Sequence, residues 1–315
     1  MFLKEQQRGI MKRNNDNLTK NNVDSLAKQT KSILNKYNIK LNKNLGQNYL
    51  IDKNKRDQIV NFGNLTKDEV VLEIGPGIGT LTTELSAKAK KVIAIEQDTS
   101  IFKILKERLE KENIDNVELI NDDALNVDFP KFNKIVSNLP YQISSPITFK
   151  FLDYDFDIGI LMYQKEFASR MNGAVGTKDS SRLSAMLYFK CDVEILTNVS
   201  AESFIPKPKV DSSVVKLTPK IPKLDGKLSN LSVDEISYDT FNTYSNFTKA
   251  LFQHRNKKVR NALIDSRHEI STLDKKEMKS KLNSITSTKI NDLLDKRVIV
   301  IASEDILYLS RQLTF

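Results

Sequence analysis

The sequence is poor in the residues that make covalent and metal cross-links. Its one cysteine, Cys191, excludes an intrachain disulfide, so a reducing compartment and a cytoplasmic location are expected. Two histidines and that cysteine fall short of a usual zinc set, and no metal is expected. Nowhere do about 18 apolar residues run together, which excludes a spanning helix, and no membrane partner is expected. Tryptophan is absent, and only 10 glycines and 8 prolines occur in 315 residues, so a place where they cluster carries information. No apolar segment follows the basic residues of 1–22, and Glu5, Asp16 and Asp24 are acidic. Neither a secretory signal nor a mitochondrial presequence is therefore expected. That polar stretch reads as a disordered extension.

Charge is what the chain has in excess. The net charge of +9 suits a protein that meets a polyanion. Hydrophobic residues, at 39%, are enough for a sizeable core. Residues 24–37 and 55–62 carry helical patterns. Short β-branched runs follow at 70–74, 91–96, 117–120, 135–137 and 158–162, with helical patterns at 80–89 and 101–112 between them. Strands alternating with helices predict βαβ units, a mainly parallel sheet and an α/β fold. Near residue 220 the character shifts, and Thr218 to Lys223 read as a Pro/Lys linker. Beyond it lie helical patterns at 240–253, 256–268, 274–283, 288–294 and 303–311. The expected domains are a sheet domain over 23–219 and a small all-helical domain over 220–315.

The glycines cluster at Gly75-Pro76-Gly77-Ile78-Gly79, directly after the first long strand. There the backbone can approach a ligand at the carboxyl edge of a sheet. Glu96 ends the next strand, where a carboxylate can accept from both hydroxyls of a ribose. Asp123 follows the third strand and could accept from an adenine amine. The spacing G-x-G-x-G departs from the dinucleotide fingerprint G-x-G-x-x-G. Glu73 before it suits a cationic sulfonium better than a pyrophosphate. The cofactor expected is S-adenosylmethionine.

Asn138-Leu139-Pro140-Tyr141 follows the fourth strand, at the same edge. An adenine amine is a poor nucleophile because its lone pair is delocalised into the ring. Acceptors on Asn138 and on the Leu139 carbonyl can hold its hydrogens and turn the lone pair outward. Pro140 fixes the backbone and brings no competing N–H. Tyr141 offers a face for stacking on an extruded base. The expected contribution is positioning and local electrostatics, with no general base of unusual pKa.

These residues resemble the KsgA/RsmA family of ribosomal RNA adenine dimethyltransferases. The resemblance spans about residues 30–265 and rests on six motifs in order. They are Leu45 to Asp52, Glu73 to Gly79, Asp123-Ala124-Leu125, Asn138 to Tyr141, Gln164 to Ala168, and Phe204 to Ser212. The last reads F-x-P-x-P-x-V-x-S. The resemblance implies a Rossmann-like class I methyltransferase sheet. It implies cofactor contacts from Asn48, Leu50, Gly75, Glu96, Asp123 and Asn138, to which the glycine turn adds Gly77. It implies that Asn138, Leu139 and Tyr141 hold the target adenine and that Phe204 packs near it. Such enzymes place two methyl groups on each of two adjacent adenosines near the 3′ end of small-subunit rRNA, and small-subunit maturation is implied with it. Two departures stand out. Tyr49 occupies a position where phenylalanine is usual. Asn121-Asp122-Asp123 replaces a commoner Gly-Asp, so either Asp122 or Asp123 could meet the cofactor adenine.

The expected partner is small-subunit rRNA, in an immature small subunit, and nothing in the sequence requires more than a monomer. The stretch 247–260 carries five cations and no acid: Lys249, Arg255, Lys257, Lys258 and Arg260. With Phe252, Val259 and Leu263 facing a core, these cations are expected to point outward to phosphates. Lys207 and Lys209, and more weakly Lys165 and Arg170, could extend that surface. Two rival readings are a large-subunit rRNA methyltransferase of the macrolide-resistance type and a non-catalytic assembly or transcription factor on the same fold.

Overall fold

The computed structural model describes residues 25–39, 47–220 and 238–315. The extension 1–22, Leu45 and Gly46 of the first motif, and Ile221 to Lys223 of the Pro/Lys linker lie outside the described residues, whereas Thr218 and Pro219, expected in that linker, end the last strand of the sheet because they pair with Asp192 and Cys191.

The sheet domain opens with α1 (Leu26–Lys36), the two-residue β1 (Tyr49–Leu50) and α2 (Lys53–Phe62). Then come β2 (Val70–Ile74), α3 (Thr82–Lys88), β3 (Lys91–Ile95), α4 (Thr99–Lys111), β4 (Val117–Ile120) and β5 (Lys134–Asn138). They are followed by α5 (Ser144–Phe151), β6 (Ile158–Gln164), α6 (Lys165–Met171), α7 (Arg182–Lys190), β7 (Cys191–Val199), β8 (Phe204–Ile205) and β9 (Ser212–Pro219). The helical domain holds α8 (Tyr238–Phe252), α9 (Val259–Asp265), α10 (Lys275–Asn283), α11 (Thr288–Asp295) and α12 (Ser303–Gln312).

Seven strands pair in the order β4-β3-β2-β5-β6-β9-β7. The first five are parallel, as the alternation with helices predicts. The last two, β9 and β7, are antiparallel additions that the hydrophobic pattern does not predict. Their apolar alternation is weak: Ile195 of β7 is exposed, and Glu194 and Lys216 face each other across the pair. Helices α5 and α7 are likewise not predicted by periodicity. Helix α7 is marked instead by its cap, where Ser181 and Ser184 exchange side-chain and backbone hydrogen bonds.

Strand order reverses between β2 and β5. β2 leads through β3 to β4 on one side, and β5 leads to β6 on the other. At such a switch point the helices leave to opposite faces and a crevice opens at the carboxyl ends of the strands. Alternating side chains make both faces apolar. Leu72, Ile74, Ile93, Ile135 and Leu161 pack on one face with Ile147 and Phe151. Val71, Val92, Val136 and Ile160 pack on the other with Ile59 and Leu85. Cys191 is a small buried residue in the first of these clusters. The helical domain has its own core around Tyr244, Leu251, Leu263 and Leu294, into which Met186 of α7 also packs. Thus α7 belongs to the sheet domain by sequence and shares a core with the helical one. Among the described residues no helix is long and apolar enough to cross a membrane.

Candidate active site

A cavity of about 240 Å³ opens at the switch point. The expected residues Asn48, Leu50, Gly75, Gly77, Glu96, Asp123, Asn138, Leu139, Pro140 and Tyr141 all line it. Both Asp122 and Asp123 border it, so the choice between them stays open.

The glycine turn is shaped by contact. Gly75 and Gly77 have φ of 68° and 56°, the left-handed region that favours glycine. A Cβ on Gly75 would lie 3.0 Å from the Pro140 ring, and one on Gly77 would lie 2.9 Å from the Tyr49 ring. The bare backbone lets the glycine turn, the segment Asn138 to Tyr141 and the segment from Gln47 to Leu50 close on one another. The hydroxyl of Tyr49 is buried without a hydrogen-bond partner. Burial and the nearby Glu96 and Asp98 charges raise its pKa.

Glu96 is also buried. Its two carboxylate oxygens accept from the Asp98 N–H at 3.0 Å and the Gly77 N–H at 3.1 Å. These bonds fix the carboxylate and leave each oxygen a lone pair for a ribose hydroxyl. Desolvation raises its pKa, and the two N–H donors oppose the rise. The Asn121 amide donates to the Glu96 carbonyl at 2.8 Å, tying the ends of β3 and β4 together. Asp123 accepts from the Leu125 N–H at 2.9 Å.

Glu73 is the strongest electrostatic anomaly. Its side chain is 2% exposed, on the same sheet face as Val71, and its Oε2 has no hydrogen-bond partner. Burial, opposed by the Thr82 hydroxyl and reinforced by the Glu96 charge, pushes its pKa up to about 8. An orphaned buried acid at the cavity wall fits a cationic ligand.

Asn138 ends β5 beside the cavity. Its Nδ2 donates to the Asn48 carbonyl at 3.2 Å, which fixes the amide and leaves Oδ1 as the acceptor. The Ser137 hydroxyl donates to the Ile74 carbonyl at 2.6 Å and locks the end of β5 to the end of β2. Tyr141 and Ser212 share a hydrogen bond of 2.5 Å between hydroxyls. Burial raises the Tyr141 pKa, so it stays a neutral phenol. The Gln47 amide donates to Asp98 at 3.0 Å, pinning the Gln47–Leu50 segment over the cavity. Sequence reasoning alone assigns no role to Ser137, Ser212 or Gln47. Gln47 and Ser212 stand inside the family motifs, which is the signal that could have found them.

Other expected residues fall elsewhere. Phe204 does not line the cavity. Its ring is 2% exposed and packs among Leu50, Val199 and Val214, because β8 pairs with β1 and turns that position inward. Of the five cations of 247–260, Lys249, Lys257 and Lys258 are at the surface as expected, each beside a carboxylate, and the inward turn of Arg260 departs from that expectation. Lys249 pairs with Glu269 at 2.7 Å, Lys257 with Asp265 at 2.8 Å and Lys258 with Asp295 at 3.4 Å. The Arg255 guanidinium donates to the Lys178 carbonyl at 2.9 Å. That of Arg260 turns inward, to the Leu282 carbonyl at 2.7 Å and the Asn291 amide oxygen at 2.9 Å. Most of these partners are remote in sequence.

A second, open groove of about 1030 Å³ lies between residues of the 165–211 segment and Arg255 of the C-terminal helical region. Lys165, Arg170, Lys178, Lys207, Lys209 and Arg255 border it, with four acids among them. Lys207 pairs with Glu202, and the Lys165, Arg170, Lys178 and Lys209 side chains make no ion pair among the described residues. Asp211 of this groove immediately precedes Ser212, the partner of Tyr141.

A mainly parallel sheet with a glycine turn, an acid at the end of the next strand and an Asn-Leu-Pro-Tyr motif on one crevice defines a class I methyltransferase whose cofactor is S-adenosylmethionine. The sequence profile of the ribosomal RNA adenine dimethylase family matches residues 38–296, and the chain belongs to that family. A "probable ribosomal RNA small subunit methyltransferase A" of Methanosphaera stadtmanae is 51% identical, over 85% of this chain and 92% of its own. One of the same description from Methanothermobacter thermautotrophicus is 44% identical, over 92% and 97%. A solved dimethyladenosine transferase from Plasmodium falciparum superposes with a TM-score of 0.66 at 31% identity, covering 82% of this chain and 95% of its own. The 23S rRNA methyltransferase ErmE superposes at 0.58 with 25% identity, covering 84% and 99%.

Proposed function

We propose that this chain transfers methyl groups from S-adenosylmethionine to the N6 amines of two adjacent adenosines near the 3′ end of small-subunit rRNA, in an immature small subunit. The observation that carries the reading is Asn138, whose Nδ2 is held by the Asn48 carbonyl while Oδ1 remains to accept an amine hydrogen at the cavity.

The roles follow from the geometry. Glu96 accepts from the ribose hydroxyls, and Asp122 or Asp123 from the cofactor adenine. The ionised form of Glu73 faces the positive charge of the cofactor. When bound, S-adenosylmethionine supplies an electrophilic methyl on a sulfonium, with a neutral thioether as leaving group. The Asn138 Oδ1 and Leu139 carbonyl accept the two hydrogens of the target amine and turn its lone pair toward the cavity. The Tyr141 ring stacks on the extruded base, and its bond to Ser212 limits the ring's rotation. No residue is required as a base, because methyl transfer makes the amine cationic and acidic and it then loses its proton to water. Catalysis comes from placement and fixed dipoles.

The second groove offers the RNA path, with Lys165, Arg170, Lys178 and Lys209 meeting phosphates. Lys207, Lys249, Arg255, Lys257 and Lys258 would join only by exchanging their present partners. The protein is proposed to act as a monomer in the cytoplasm.

The test is transfer of label from S-adenosylmethionine to immature small subunits and, in parallel, to large subunits. Dimethyladenosine in the small subunit is expected, falling at least about 100-fold with Asn138→Ala. Label in the large subunit instead would overturn the substrate assignment. Tight particle binding without label would leave an assembly factor.

A further inference from the structure

Lys150 lies on α5, the helix that follows the catalytic motif, and does not line the cofactor cavity. Its ammonium donates to three backbone carbonyls: Ala124 at 2.9 Å, Leu125 at 3.2 Å and Val127 at 2.5 Å. It also stands 4.4 Å from the centre of the Phe129 ring. A lysine ammonium has three donors, and here each has a carbonyl. Those carbonyls belong to the turn that follows Asp123, one of the two candidates for the cofactor adenine. The N–H groups of the same turn go to Asp123 itself. The Leu125 N–H donates to the Asp123 carboxylate at 2.9 Å, and the Asn126 and Val127 N–H groups donate to the Asp123 carbonyl at 2.9 and 3.2 Å. One acid collects the turn's donors and one ammonium collects its acceptors.

We propose that Lys150 is the positioning residue for cofactor adenine recognition, holding the Asp123 turn against the helix that carries on from Asn138-Leu139-Pro140-Tyr141. This rests on the reading that the Asp122-Asp123 pair meets the adenine. Phe129 is anchored in the sheet core and keeps the ammonium over the turn. Neutral replacements leave three carbonyls without their shared cation, and the turn relaxes.

The test measures binding of S-adenosylmethionine and S-adenosylhomocysteine by calorimetry, with steady-state kinetics alongside. Variants are Lys150→Met, Lys150→Arg, Asp123→Asn, Asp122→Asn, and Lys150→Met combined with each of the last two. Lys150→Met is expected to weaken both ligands about tenfold, a loss of the size carried by a charged hydrogen bond. It should raise KM and leave kcat at saturating cofactor within about twofold. Lys150→Arg should recover most of the affinity. Preference for S-adenosylhomocysteine over its deaminated inosyl analogue should shrink in Lys150→Met, which a general loss of stability would not do. Combined with the aspartate variant that weakens binding, Lys150→Met should cost little more than that variant alone. An unchanged affinity in Lys150→Met, with one aspartate variant weak, overturns the proposal and keeps the adenine reading. Normal binding by both aspartate variants overturns the adenine reading and the proposal together. A lower kcat at unchanged KM, or fully additive losses, places Lys150 elsewhere. Should Lys150→Met fold poorly, Lys150→Gln provides the same comparison with part of the donor set retained.

Discussion

The cofactor cavity and the basic corner of the helical domain handle charge in opposite ways. At the cavity, Glu73 and Glu96 are buried without a cation beside them among the described residues, and both pKa values rise. At the corner, Lys249, Lys257 and Lys258 sit half exposed, each beside a carboxylate. The first arrangement is destabilising for the empty protein and is relieved by a ligand that brings positive charge. The second is partly neutralised by surface pairs worth about 0–1 kcal/mol each, which a polyanion has to displace before it can use those lysines. A run of like charges in a sequence therefore measures charge present, and burial and pairing decide how much of it is available.

Removing the buried acid that faces the ribose should have the largest effect on that contrast. Glu96→Ala is expected to weaken cofactor binding by about 1.5–3 kcal/mol, or about 10- to 150-fold, since a charged acceptor is removed. Unchanged affinity by calorimetry would remove Glu96 from the site.

Glu73 sharpens the comparison through pH. Its folded pKa of about 8 lies above its ordinary value, so the folded state holds the proton more tightly than the unfolded state does. Its contribution to stability is present at low pH and is lost as pH rises toward 8. Glu73→Gln should flatten the fall in melting temperature of the unliganded protein between about pH 5 and pH 8. It should also abolish the proton released on cofactor binding near neutral pH. Two identical pH profiles would mean that the carboxylate is already paired.

The smallest effects separate the two basic surfaces. Replacing Lys165, Arg170 and Lys209 with Gln should lower the salt slope of RNA binding by about 0.7–0.9 for each phosphate no longer neutralised. Replacing Lys257 and Lys258 should leave that slope nearly unchanged and cost about 0–1 kcal/mol of stability per ion pair. Equal changes in slope for the two sets would break the comparison.

The parallel half of the sheet is legible because buried parallel strands are near-continuous β-branched runs, as in residues 70–74 and 91–95. The helical domain is legible from its 3.6-residue periodicity. Strands β7 and β9 are not, because they mix charges with apolar residues at one end of the sheet, and pairing sustains them where pattern does not. Within the site, Glu96, Asp123 and Asn138 are readable because each stands at or just after the end of a strand. Ser137, Ser212 and Lys150 are not, because their partners are carbonyls and hydroxyls far away in the chain.

The alternation of strands and helices, the glycine turn and the order of the acids at successive strand ends are properties of the chain read alone. They follow from local sterics and hydrophobic period, which nearest neighbours set. Folding alone decides that Phe204 is packed behind Leu50, that Arg260 turns inward, and that cations without an ion pair among the described residues gather along one groove. Each of these depends on which distant carboxylate, carbonyl or ring comes within a few ångströms, and desolvation and hydrogen bonding act over that range.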